Sequence, residues 1–163
     1  MANIELIETK TVGAGGTAYI EFTSIPQTYT DLTVKVSLRG DTTFDLFWVR
    51  FNSVSTNLSG RSIQGDGSSA ASYIVEPYGR GQTSSNTANT FSSTDIYIPN
   101  YTSSKYKSIS IDSAAEQNAA GAYLTLGTGL WSSTSAITSI QFVPNGGNLV
   151  SGSTFYLYGI NNS

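Results

Sequence analysis

The sequence predicts an all-β protein, a jelly-roll-like antiparallel β-sandwich, in a single domain over residues 1–163. Three observations lead there. Apolar residues recur at alternate positions through most of the chain, which is the period of a half-buried strand. Strand breakers fall in nearly every gap: Gly40, Gly60, "GDG" at 65–67, "GRG" at 79–81, "PN" at 99–100 and "PNGG" at 144–147. Only "SAAEQNAAG" (113–121) could hold a helix, of about two turns, and it reads as a loop or short helical turn.

In chain order, "TAYIEFTS" sets Ala18, Ile20 and Phe22 against Tyr19 and Glu21. "SIPQTYT" is a turn-rich connection fixed by Pro26. "DLTVKVSLRG" then alternates Leu32, Val34, Val36 and Leu38 with Thr33, Lys35, Ser37 and Arg39, the clearest amphipathic strand of the chain. "FDLFWVRFN" places Phe47, Val49 and Phe51 on one face and Leu46, Trp48 and Arg50 on the other. Residues 53–93 are rich in Ser, Gly and Asn, and predict long loops with one or two strands around "SYIVEPYG". Further strands are expected in "TDIYIPN" (Ile96, Ile98), "KYKSISIDS" (Ile109, Ile111), "GAYLTLG" (Leu124, Leu126), "AITSIQFVP" (Ile140, Phe142) and "STFYLYGI" (Phe155, Leu157). Many short strands in one domain must close as a sandwich or barrel, and their uneven spacing favours a jelly roll. An immunoglobulin-like sandwich is the alternative, without the Cys–Trp–Cys signature.

Composition narrows the chemistry. The chain has no cysteine and no histidine. Disulfides, thiolate metal sites, cysteine nucleophiles and a Ser-His-Asp triad are therefore excluded. Charged residues are 12% and the net charge is −3, with no basic stripe for nucleic acid. Lys105 and Lys107, the only close basic pair, read as a solvated strand face. The start "MANIELIETK" lacks the pattern of a secretion leader. No apolar run approaches the roughly 20 residues of a membrane span.

The carboxylates are scattered along strand edges and turns, and no motif pairs two of them for glycoside hydrolysis. "GDGSS" (65–69) lacks the alternating oxygen ligands of a calcium loop and reads as a tight turn at Asp66-Gly67. "GAGG" (13–16) has no helix after it and reads as a hairpin turn instead of a phosphate loop. "NLS" at 57 and "NYT" at 100 read as chance triplets in a chain rich in Asn, Ser and Thr. No catalytic, cofactor or metal site is expected.

The closing strand raises a different possibility. Phe155 and Leu157 make one face, while Tyr156, Tyr158 and Ile160 make the other. Trp48 sits on the minority face of its own strand. These four residues are the candidate contact set. The bland reading leaves the tyrosines half exposed with wet hydroxyls. The sharper ones place the second face against a neighbouring subunit, or make Trp48 and the tyrosines a platform for a sugar. A homotrimer is expected, with Tyr156 or Tyr158 partly covered by another chain or by a larger assembly, and Asn161 to Ser163 trailing beyond the last ladder bond.

"GLWSSTSAITSIQFVPNGGNLVSGSTFYLYGI" (129–160) resembles the ending of a group of small structural proteins of tailed bacteriophages. In that group a tryptophan precedes a Ser/Thr run, then "AITSI", a Gly/Asn turn and "GSTF.LYGI". "TYTDL" (28–32) and "FWVRFN" (47–52) are similar too. The resemblance implies a virion component made in the host cytoplasm: a trimeric head decoration (cement) protein bound to the major capsid protein. Its alternative is a tail-fibre knob bound to a tail protein and a host glycan. The chain has no heptad shaft, which favours the head. Neither nucleic acid nor membrane is an expected partner.

Overall fold

The computed structural model describes residues 3–43, 45–118 and 122–162. Among them are twelve strands and no helix: β1 (Asn3–Thr11), β2 (Ile20–Phe22), β3 (Asp31–Ser37), β4 (Leu46–Phe51), β5 (Leu58–Gly65), β6 (Ala70–Val75), β7 (Tyr78–Arg80), β8 (Ser93–Ile98), β9 (Lys107–Ala115), β10 (Tyr123–Trp131), β11 (Ile140–Pro144) and β12 (Thr154–Asn161). They form two antiparallel sheets packed as a sandwich, one of eight strands in the order β1-β12-β3-β8-β9-β10-β5-β6 and one of four in the order β2-β11-β4-β7.

The topology is a jelly roll with two additions. Setting aside β5, β6, β9 and β10 leaves two sheets, β1-β12-β3-β8 and β2-β11-β4-β7. The first of those eight strands pairs with the last, the second with the seventh, the third with the sixth and the fourth with the fifth. That is a long paired strip rolled into a two-layer sandwich. The additions are two hairpins, β5–β6 between β4 and β7, and β9–β10 between β8 and β11. They pair with each other through β10 and β5 and dock on β8, so that they extend the larger sheet as a wing.

The core lies between the layers of the jelly roll, and the period-two pattern dictates it. Leu32, Val34 and Val36 of β3, Phe47, Val49 and Phe51 of β4, Ile96 and Ile98 of β8, and Phe155 and Leu157 of β12 are all buried. Phe22, Phe47 and Phe155 surround Phe142 at ring separations of 6.2, 6.1 and 5.2 Å. The wing is built differently: Ile109, Ile111 and Trp131 of β9 and β10 join the core, but the inward side beyond them is polar. Ser62, Gln64, Ser113 and Thr125 are buried there, whereas Leu124 and Leu126 point to solvent. Arg80 closes this side: its guanidinium bonds Asp45 and Gln64 and lies 4.2 Å from the Tyr123 ring centre.

Several sequence expectations change. Ser113, Ala114 and Ala115 belong to β9, so the start of the supposed helical turn is strand, and residues 119–121 lie outside the described residues. Residues 53–93 hold three strands, because β5 and β6 make a full hairpin and β7 follows. Its turn is the expected one: Asp66 accepts hydrogen bonds from the backbone N–H groups of Ser68 and Ser69 at 2.9 and 2.7 Å. "GAGG" is a turn, with the Gly16 N–H bonded to the Gly13 carbonyl, but it passes the chain from one sheet to the other and makes no hairpin. Asn161 does not trail, since it pairs with Asn3 in the ladder; Ser163 lies outside the described residues.

Lys107 is the clearest reversal, for it is buried rather than solvated. Its ammonium donates to the carbonyls of Ser103, Ser133 and Ser135, which uses the three donors a lysine has. The Trp131 ring lies 5.5 Å away. The side chain thus ties the loop after β8 to the loop after β10, and loss of solvent pulls its pKa below the ordinary lysine value.

Candidate contact surface

The outward face of the eight-stranded sheet is set by register. One row across it runs Thr9, Tyr156, Lys35, Asp95, Asp112, Leu126, Ile63, Ser72. The next runs Leu6, Tyr158, Thr33, Tyr97, Ser110, Thr128, Arg61, Ile74. Both rows are polar in the middle; the first carries Leu126 and Ile63 just inside its polar end at Ser72, and the second ends on Leu6 and Ile74. On the β1 side, Ile4 pairs with Ile160 and Leu6 with Tyr158. On the wing side, Ile63, Ile74, Leu124 and Leu126 are all exposed, Ile74 at 76%. With strands about 4.8 Å apart, the face is roughly 34 Å wide. The total exposed surface, 7812 Å², is close to the roughly 7800 Å² of a compact monomer of this mass. The two apolar stripes are therefore local features of an ordinary-sized surface.

Of the candidate contact residues, the fold brings Tyr156, Tyr158 and Ile160 together and places Trp48 elsewhere. The first three are half-buried on the outward face of the large sheet, covered in part by β1 of the same chain. Trp48 is half-buried on the outward face of the small sheet, where its ring meets Tyr78 edge-on at 6.3 Å. No single platform holds all four. The most exposed aliphatic residues on the face are Ile4, Leu6 and the wing residues, which the sequence reading did not select as contacts. The usable signal was alternation in "NIEL" and "YLTL", read with its polarity reversed.

The segments "TYTDL" and "GSTFYLYGI" meet at one end of this face. The Thr30 N–H donates to the Ile160 carbonyl at 2.9 Å. The Tyr29 ring lies over Gly159, where an added Cβ would sit 2.3 Å from the ring. Glycine in "LYGI" is thus required by the tyrosine of "TYTDL". Beside them, the buried Asp31 carboxylate accepts from the Tyr97 hydroxyl at 2.7 Å, the Asn100 N–H at 2.8 Å and the Asn162 amide at 2.6 Å.

The bond to Asp31, then burial, then the charge of Asp31 raise the Tyr97 pKa above its ordinary value of 10.0. A folded-state pKa above the unfolded one adds stability that is complete below pH 10.0 and lost as pH rises through the folded value. The urea midpoint should therefore fall as pH rises above about 10. Tyr97→Phe should flatten part of that fall, leaving the shares of Tyr29 and Tyr101, whose pKa values burial also raises. An identical slope in the variant would remove Tyr97 from this role.

In the middle of the face, Asp95 and Asp112 stand directly opposite each other, with Lys35 bonded to Asp95 at 2.6 Å. A shallow trough of about 470 Å³ runs beside them, bordered by Tyr97, Ser110 and Thr33. Among the described residues, no three of the acidic, histidine or cysteine side chains cluster to hold a metal ion. No family model matches the chain, and neither a curated protein nor a solved structure resembles it closely enough to count as a match.

Proposed function

We propose that the chain is a non-enzymatic structural protein that decorates a tailed-phage head, seated on the shell by the outward face of its large sheet. The observation that carries this reading is the pair of aliphatic stripes on that face, Ile4 and Leu6 at one side and Ile63, Ile74, Leu124 and Leu126 at the other. Exposed apolar stripes of this kind mark contacts with other macromolecules. A broad face with a polar centre and only a shallow trough suits another protein surface better than it suits a small ligand, which needs a concave site. The ending "GSTFYLYGI" supplies the phage context. Anything that binds the assembled shell and not its free subunits stabilises the shell by mass action.

Purified protein should co-sediment with heads of the phage that encodes it, at hundreds of copies per particle, and should raise their resistance to heat. The double variant Leu6→Glu, Leu126→Glu should bind at least about tenfold more weakly, because a charge would enter each stripe. Localisation to the tail, or binding that survives the double variant and is lost in Trp48→Ala, would overturn the reading. A second reading has its own observation: the trough beside Tyr97 offers an aromatic ring with Asp95, Lys35 and Asp112 around it. A tail knob gripping a host glycan there would lose binding to purified polysaccharide in Tyr97→Ala.

A further inference from the structure

The large sheet has two edges, and they are built differently. β1 carries Glu5, Glu8 and Lys10, and its register shifts between Leu6 and Glu8. Charges and a bulge on an edge prevent another strand from adding to it. β6 has neither. Its sequence is Ala-Ala-Ser-Tyr-Ile-Val, without charge or proline, and it pairs with β5 over six consecutive residues with no shift. All but the last residue are exposed. The edge strands of the small sheet, β2 and β7, have three residues each, too short to template a partner.

We infer that β6 is a self-pairing edge, by which two copies of the chain join β6 to β6, antiparallel, about a two-fold axis. The occupant is a second copy because the edge is complementary to itself. Under a two-fold axis each free backbone donor of one strand meets an acceptor of the other. The charges beside the strand are mixed at one end, where Glu76 follows β6 directly beside Arg61, and negative at the other. Arg61, exposed and with no ion pair among the described residues, lies on β5 opposite Ile74, near one end of β6. Asp66, held ionised by its bonds to Ser68 and Ser69, lies in the turn at the other end. Antiparallel pairing brings the Arg61 end of each copy to the Asp66 end of the other, within about a Debye length. Antiparallel pairing thus sets Asp66 against an end where Arg61 and Glu76 offset each other, whereas parallel pairing would set Asp66 against Asp66.

The same geometry brings Ile74 and Ile63 of each copy towards the axis on the outward face, and Tyr73 towards it on the inward one. Because the axis stands perpendicular to the sheet, both outward faces end on the same side. Self-pairing therefore doubles the proposed shell-facing surface and does not cover it. Tyr156 and Tyr158, from which the closing strand suggests a trimer, are half-buried beside β1; the unguarded edge is β6.

Sedimentation of the full chain over about 1–500 µM, the range in which a small interface is populated, tests this. A monomer–dimer equilibrium is expected. Ile74→Lys should leave a monomer with unchanged circular dichroism and melting, since the side chain is 76% exposed. Ser72→Lys, on the same face, should do the same. Arg61→Glu should weaken the dimer by about tenfold, because two symmetric attractions become repulsions. Leu6→Lys, on the other edge, should leave it intact. Amide exchange at residues 70–75 should slow as concentration rises. A monomer at every concentration, a trimer, or an assembly that survives both lysine variants would overturn the inference. Shell binding plays no part in any of these readouts.

Discussion

Phe142→Ala should lower the stability of the fold by about 3–5 kcal/mol. Phe142 is fully buried, on the strand that lies between β2 and β4. Its ring touches the ring layer from both sheets: Phe22 and Phe47 from the small one, Phe155 from the large one. Deleting it removes the transfer energy of the ring and leaves a cavity. That cavity cannot collapse easily, because the surrounding residues are held by ladders on two sides. Trp48→Ala, on the outward face of the neighbouring strand and half-buried, should cost less than half as much. Urea unfolding of both variants with unchanged slopes would measure the difference. A loss below about 1 kcal/mol for Phe142→Ala would show that the aromatic cluster is not the centre of the core.

That core was legible in the sequence because the jelly-roll strands obey one rule, one face in and one face out. Leu32, Val34 and Val36, or Phe47, Val49 and Phe51, can be read off by counting in twos, and they are buried. The wing escapes that reading because alternation has a period but no sign. "YLTLG" shows that Leu124 and Leu126 share a face, and says nothing about which face meets the core. Here the inward side belongs to Thr125, buried over the polar end of the sandwich near Arg80. β1 was hidden for a related reason, since the shift between Leu6 and Glu8 breaks the alternation that would have announced it. Lys107 was misread because its partners are carbonyls of Ser103, Ser133 and Ser135, which no local pattern brings together. The second face of β12 was correctly separated from the first. Its partial cover comes from β1, at the far end of the chain, which only pairing reveals.

Arg80 ties the polar part of the wing to the jelly roll, and the second large effect is expected there. Arg80→Met should cost about 3–5 kcal/mol, the range for stripping a buried charge of its partner. Arg80 lies on β7, at the edge of the small sheet, and is 9% exposed. Its guanidinium bonds Asp45 before β4 and Gln64 on β5, and stacks on Tyr123 of β10. Its backbone N–H donates to Ser113 of β9 at 2.8 Å. It therefore links the jelly roll to three strands of the wing. Methionine keeps much of the volume but leaves a carboxylate and an amide without their donor. Adding Asp45→Leu should recover part of the loss, because the stranded charge goes with it. The damage should also be local. Exchange at β5 and β6 amides should quicken well before that of β3 and β12, which the aromatic core holds. A loss under about 1 kcal/mol, or exchange that quickens equally in all strands, would deny Arg80 this role. A wing loosened in this way would misplace Ile63, Ile74, Leu124 and Leu126 while Ile4 and Leu6 stay in register with β12. On the proposed function, that variant should keep its fold at low temperature and still bind the shell through one stripe only.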